Sequence, residues 1–286
     1  MRQVFSPRQV AIAIGASESS VKRWCDRGVL PSIKTAGGHR RLPIAGVLEF
    51  VRSENHQLAN PEALGLPATL GVGSESIGKA EFDFKDALVA GDFESARRII
   101  LDLFLAQESI ASIFDKVFTP ALHSMGEDWC TGSLEVFQER RGCEIASRLM
   151  YDLRSMVKLP TTDAPMAMGG APESDPYTMP TRMVELVLVE AGWNAMSLGA
   201  NIPIESMERA IEMHRPRLFW LSVSCVEDET TFLEAYQRLW EICGTRTALV
   251  LGGRALSESL RDKMEYTAYS ENLQRLVALV TAIHPS

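Results

Sequence analysis

Apolar positions change their spacing twice along this chain. Over residues 5–54 they come in short sets. Ser6-Pro7 offers a capping serine and a first-turn proline, and Val10, Ala11 and Ile14 then form one stripe that Gly15 ends. Ser17–Ser20 supplies further caps. Val21, Trp24 and Cys25 follow at i, i+3 and i+4 of a second helix that runs to about Gly28. Ser32–Thr35 reads as a strand, Gly37-Gly38 as a tight hairpin turn, and His39–Leu42 as the returning strand. Pro43 opens a third helix with Val47, Leu48 and Val51 facing inward.

From 58 to 80 the period is lost. Asn60-Pro61, Gly65, Pro67, Gly71, Gly73 and Ser74 point to a linker. Residues 81–158 return to helical spacing. Asp92 caps a helix with Ile99, Ile100, Leu103 and Phe104 on one stripe. Ile110–Trp129 reads as one helix kinked at Pro120, and Leu134–Val157 as the last. Short loops between four helices predict a four-helix bundle. Residues 159–286 alternate strand with helix five times. Strands are expected at 166–169, 193–198, 218–223, 248–251 and 267–269. The expected class is therefore multidomain, α and α/β: a small head (1–57), a bundle (81–158) and a doubly wound parallel five-stranded Rossmann-like sheet (159–286). Such a sheet leaves a ligand crevice at the carboxyl ends of its strands.

Composition narrows the class. Apolar residues make up 46% and charged residues 23% of 286, which excludes disordered and collagen-like chains. No apolar run approaches the roughly 20 residues of a membrane span. Met1–Phe5 has no signal-peptide core, so a cytoplasmic chain without a membrane partner is expected. Five cysteines without a C-x-x-C pair predict buried, reduced thiols and no disulfide framework. Net charge is −8, but residues 1–57 carry nine cations against four anions, a net of +5 that leaves −13 elsewhere. A basic head on an acidic body suits a phosphate-facing module attached to a sensor or assembly body.

The second helix shows Ser19, Ser20, Lys22 and Arg23 opposite its apolar stripe, and the hairpin carries His39, Arg40 and Arg41. Short polar and cationic side chains suit the donor and acceptor code of the major groove. A solvated face on a protein-binding domain would look similar. Ser17 through Pro31 reads S-E-S-S-V-K-R-W-C-D-R-G-V-L-P, followed by T-A-G-G-H-R-R at 35–41. This stretch resembles the winged helix-turn-helix DNA-binding domain of the MerR superfamily and its excisionase-like relatives. The resemblance implies groove contacts from Ser19, Ser20, Lys22 and Arg23, and phosphate contacts from His39, Arg40 and Arg41. It implies duplex operator or promoter DNA as partner. One such module binds weakly alone, so a homo-oligomer, dimer or tetramer, is expected.

The bundle and sheet resemble the cobalamin-binding module of methionine synthase and of light-responsive regulators of the CarH and LitR type. The residues that carry this are Gly126–Trp129 with Gln138-Glu139, Ala191–Trp193, Leu198–Asn201, Leu221-Ser222 and Gly252-Gly253. The resemblance implies that Trp129 covers a corrin ring, and that Ser222, Gly252 and Gly253 line a channel for the cofactor's nucleotide tail. The family holds cobalt through the histidine of a D-x-H-x-x-G loop. Here Asp175–Pro180 reads D-P-Y-T-M-P, with Tyr177 for the histidine. A phenol of pKa about 10 is a poor neutral-pH ligand for cobalt. The family's upper-face E-H pair is Glu139-Arg140, and Cys130 follows Trp129 where light-sensing members have histidine.

Three outcomes stay open for this pocket. Adenosylcobalamin binds without a protein ligand; or another tetrapyrrole, bilin or haem, binds with Cys130 as a candidate attachment; or the pocket is vestigial and the module serves assembly. No G-x-S-x-G, H-E-x-x-H or complete G-x-x-x-x-G-K-[ST] motif is present, and Glu227–Glu229 sits at a helix start where carboxylates favour the dipole. An enzyme is not expected. The function expected is a repressor-type transcriptional regulator; a bilin or haem sensor and a cofactor-free antirepressor are the alternatives.

Overall fold

The computed structural model describes residues 4–54, 56–68, 70 and 77–283. The linker positions Gly71, Gly73 and Ser74 lie outside the described residues. Two compact units divide the chain, Met1–Lys158 and Leu159–Ser286.

The first unit begins with β1 (Val4–Phe5), α1 (Pro7–Ala13) and α2 (Glu18–Asp26). Ser6 and Gln9 close a capping box at the start of α1, and the Ser17 hydroxyl accepts from the Ser20 amide at the start of α2. The hairpin strands are β2 (Ile33–Lys34) and β3 (Arg40–Pro43), joined through Gly38 at φ +77°. β3 lies between β1 and β2, antiparallel to both. The sequence reading missed β1, whose two residues are too few to show an alternation. Helix α3 (Ile44–Ser53) buries Val47, Leu48 and Val51 as expected.

The stretch read as a linker is partly ordered against its neighbours. Pro61–Leu64 forms a 3-10 turn, Leu64, Leu66 and Leu70 are buried, and α4 already starts at Ile77. The leucines supply the apolar area that a count of turn residues overlooks. Arg97 donates to the Gly65 carbonyl and pairs with Asp152 at 3.0 Å. Arg52 of α3 lies 4.1 Å over the Phe104 ring and donates to the Glu108 carbonyl at 3.2 Å. The head is thereby packed onto the helices that follow.

Those helices are α4 (Ile77–Ala90), α5 (Phe93–Leu105), α6 (Ile110–Ile113), α7 (Thr119–Cys130) and α8 (Val136–Met156). A π turn at Phe114–Phe118 links α6 to α7. It stands just before Pro120, whose ring would meet the carbonyl of Lys116 in a regular helix. The widened turn stands at the expected kink.

The second unit alternates β4 (Met166–Gly170), α9 (Thr178–Glu190), β5 (Asn194–Ser197), α10 (Ile204–His214), β6 (Leu218–Ser222), α11 (Glu229–Cys243), β7 (Ala248–Gly252), α12 (Glu258–Arg261), β8 (Ala268–Tyr269) and α13 (Leu273–Ile283). All five strands are parallel, in the order β5-β4-β6-β7-β8. Side chains alternate across the sheet. Phe219, Leu221, Leu249 and Leu251 join a core with Met207, Ile211, Tyr236 and Leu239 of α10 and α11. Trp220 points the other way and bonds to Thr181 on α9. The order reverses between β4 and its neighbours β5 and β6, which places the crevice beyond their carboxyl ends.

Candidate functional site

Two regions hold the candidate residues. In the head, α2 and the β2–β3 hairpin border a concavity of about 610 Å³. Lys22, His39, Arg40 and Arg41 line it, together with Arg8 of α1, which the sequence reading did not single out. Its signal was present: a cation in the first turn of a helix opposes the helix dipole, so local stability does not explain it. Ser19, Lys22, Arg23 and His39 are exposed; Ser20, Arg40 and Arg41 are half-buried.

These side chains are not equally free. Ser17 Oγ lies 2.8 Å from Ser19 Oγ and 2.9 Å from Ser20 Oγ, so both hydroxyls take part in the capping cluster. Lys22 pairs with Glu18 at 2.7 Å across one exposed turn, a contact weak enough to exchange for another anion. Arg40 is engaged within the head. Its Nη2 donates to Asp26 Oδ1 at 2.5 Å and its Nη1 to the Lys22 carbonyl at 2.9 Å. That hydrogen bond to Asp26 raises the pKa of the guanidinium. Both contacts tie it to α2, whereas the expected phosphate contact needs it turned outward.

In the second unit the candidates stand at the carboxyl edge of the sheet. Asp175 is fully buried. Its Oδ1 accepts from the Tyr177 amide at 3.0 Å, and its Oδ2 from the amides of Ser224 at 2.5 Å and Cys225 at 3.3 Å. One carboxylate thus joins the loop after β4 to the loop after β6. The Asn201 amide donates to the Asp175 carbonyl, and Asn201 Oδ1 accepts from the Ser174 amide. The loop after β5 is tied in as well. Asp175 is engaged as a structural clip.

Tyr177 is exposed, with the Arg254 guanidinium 5.2 Å over its ring. Ser222 is buried at the end of β6. Gly253 has φ +116°, and a Cβ there would stand 2.2 Å from the Val223 carbonyl oxygen. That close approach of the chain's own backbone demands glycine there. Gly169 is filled likewise: a Cβ would meet the Trp220 ring at 2.3 Å. Trp220 is buried and donates to Thr181 Oγ1 at 2.9 Å.

On the bundle, Trp129 and Cys130 are exposed at the end of α7. Glu139 Oε1 accepts from the Cys143 thiol at 3.2 Å, and its Oε2 lies 3.4 Å from Nε of exposed Arg140. Burial, then Glu139, push the Cys143 thiol up to about 12. Of the five cysteines only Cys243 is fully buried, its thiol also pushed up to about 12 by burial. Cys130 departs furthest from the buried thiol expected.

These residues do not fit a cobalt ion held from below. Tyr177 offers a phenol beside a fixed cation, and Asp175 is already spent on three amides. Among the described residues no cluster of three histidine, cysteine or carboxylate side chains could hold a metal. No helix among them is long and apolar enough to cross a membrane.

Residues 81–153 match the B12 binding domain family. A curated relative, trimethylamine corrinoid protein 1 of Methanosarcina acetivorans, is 23% identical over 70% of this chain and 94% of its own length. The solved monomethylamine corrinoid protein of Methanosarcina barkeri superposes with a TM-score of 0.61 at 16% identity, covering 73% of this chain and all of the other. The helical region and five-stranded parallel sheet thus share the corrinoid-protein fold. The chain carries a cobalamin-binding-like module.

Proposed function

We propose that this chain is a DNA-binding transcriptional repressor of the MerR type, whose cobalamin-binding-like body serves sensing or assembly. The observation that carries the reading is the basic concavity of the head. Lys22 on one helix and His39 and Arg41 on a hairpin border one open surface, in the part of the chain that is net positive. This arrangement supports a winged helix-turn-helix reading, in which α2 would enter the major groove and the hairpin would lie along phosphate. The chain has no catalytic step of its own on this reading. It acts as a homo-oligomer on repeated half-sites. The test is a gel shift on the duplex DNA upstream of its own gene at low salt, with and without cobalamin. Retention that weakens steeply with salt is expected; no retention under any of these conditions sinks the reading.

A second reading is favoured by the relative matched over 94% of its length: the chain carries a corrinoid, as that relative's name says of it. Tyr177 and the engaged Asp175 weigh against a histidine-type cobalt site. We expect weak or absent binding of adenosylcobalamin. An absorption spectrum of the purified protein separates the readings. A corrin band near full occupancy would favour the second, and a bilin or haem band would put another tetrapyrrole in its place.

A further inference from the structure

The sequence sets two arginines side by side on the hairpin, and the structure gives them different surroundings. Arg41 is half-exposed and lines the open concavity. Arg40 reaches back across the concavity to α2.

The receiving end is unusual in its own right. Asp26 is the last residue of α2, where the helix dipole disfavours an anion. Local helix stability would place a cation there. The Arg40 guanidinium supplies it from the hairpin. One nitrogen takes the carboxylate and the other takes the carbonyl of Lys22, one turn earlier. The fork therefore fixes a direction as well as a distance, which a lysine ammonium could not do.

We infer that Arg40 and Asp26 form a bracket that sets the wing against the recognition helix, so that Arg40 positions the phosphate-contacting residues and does not itself contact phosphate. The inference rests on the DNA-binding reading and assigns the labour within it. Lys22 and Arg23 sit on one side of the bracket, His39 and Arg41 on the other. Loss of the bracket lets the hairpin sample other angles and misaligns the two sets. The number of phosphates neutralised in the bound state stays the same.

The opposite assignment makes opposite predictions. Were Arg40 a phosphate contact held in reserve by Asp26, removing Asp26 would release a cation and tighten binding. Were its charge alone needed, lysine would replace it.

The experiment measures affinity for the upstream duplex across a salt series for the wild type, Arg40→Ala, Arg40→Lys, Asp26→Ala, the double variant and Arg41→Ala. Arg40→Ala and Asp26→Ala are each expected to weaken binding about fivefold, with the salt slope unchanged. The double variant should bind no worse than either single variant, and Arg40→Lys should behave like Arg40→Ala. Arg41→Ala should instead lower the salt slope by about one. Tighter binding by Asp26→Ala, rescue by Arg40→Lys, or a slope lowered in Arg40→Ala would each overturn the inference. Hydrogen exchange at the hairpin amides of Gly38 and His39 gives a reading without DNA. Exchange should quicken in Arg40→Ala and in Asp26→Ala but not in Arg41→Ala. Unchanged exchange in the first two overturns the bracket alone, whereas a wild type that binds no DNA overturns the proposed function while leaving this reading to decide the bracket.

Discussion

The basic face of the head and the carboxyl edge of the sheet are both places where a ligand is expected, and they treat their polar groups in opposite ways. In the head, Lys22, His39 and Arg41 are exposed or half-exposed around an open concavity, and Arg23 is exposed on α2. At the sheet edge the groups turn inward. Asp175 is closed by three amides, Gly253 is closed by the Val223 backbone, and Gly169 by the Trp220 ring. Side chains left exposed, or held only by a weak surface pair such as Lys22–Glu18, remain available to an outside charge, whereas those that complete the fold have already used their bonding capacity. On the proposed function, the head is the working surface and the sheet edge a structural junction.

The hardest test of the closed edge is to disturb it. Gly253→Ala combines a positive φ with backbone at 2.2 Å, and should cost about 4 kcal/mol in thermal or denaturant melts of the full chain. Asp175→Ala strips the acceptor from three amides in a buried setting. A cost of about 3 kcal/mol is expected, and Asp175→Asn should recover part of it because one oxygen still accepts. If Asp175→Ala melts like the wild type, the carboxylate is not a clip and the edge is free for a ligand after all.

How far these roles could be read from the sequence depends on their range. Caps at Ser6, Ser17 and Asp92, the Gly38 turn and the five strand–helix units are local, and the residue pattern located them to within a few residues. The π turn was out of reach because Pro120 announces only a disturbance, not how the backbone absorbs it. The clip at Asp175 spans about fifty residues and ends on backbone amides, which no side-chain pattern encodes. Arg40 and Arg41 are identical in type and adjacent in position; only the partner at Asp26 separates them. Resemblance placed Asp175 and the glycines near a cofactor, and their neighbours here engage the same positions for folding.

The open face makes gentler demands on stability. Ser17→Ala removes the α2 cap and the centre of the serine cluster, for about 1 kcal/mol in a denaturant melt. Its effect on DNA binding should exceed that of Ser19→Ala, since Ser17 sets the helix start. Equal effects would make Ser19 a direct base contact and sharpen the contrast between the faces. A smaller effect follows from the capping aspartates. Hydrogen bonds from Ser95 and Thr231 hold Asp92 and Asp228 below the usual carboxylate range. A depressed folded pKa adds stability that is present above the unfolded value, about 4, and fades as pH falls through the folded one. Asp92→Asn and Asp228→Asn should therefore flatten the acid limb of the melting profile by slightly lowering the neutral plateau, with the low-pH end nearly unchanged.

Tyr177→Phe carries the smallest expected effect. The side chain is exposed, and its contact is the Arg254 guanidinium over its ring, which phenylalanine retains. Stability should change by less than about 0.5 kcal/mol. Tyr177→His asks the sharper question, because it restores an imidazole while leaving Asp175, Trp220 and Arg254 in place. If the edge is closed by those three, histidine alone recruits no corrin, and the absorption spectrum after incubation with adenosylcobalamin stays that of the wild type. If a base-off corrin band appears, the edge was one residue from being a cobalt site, and the contrast with the head narrows to a single side chain.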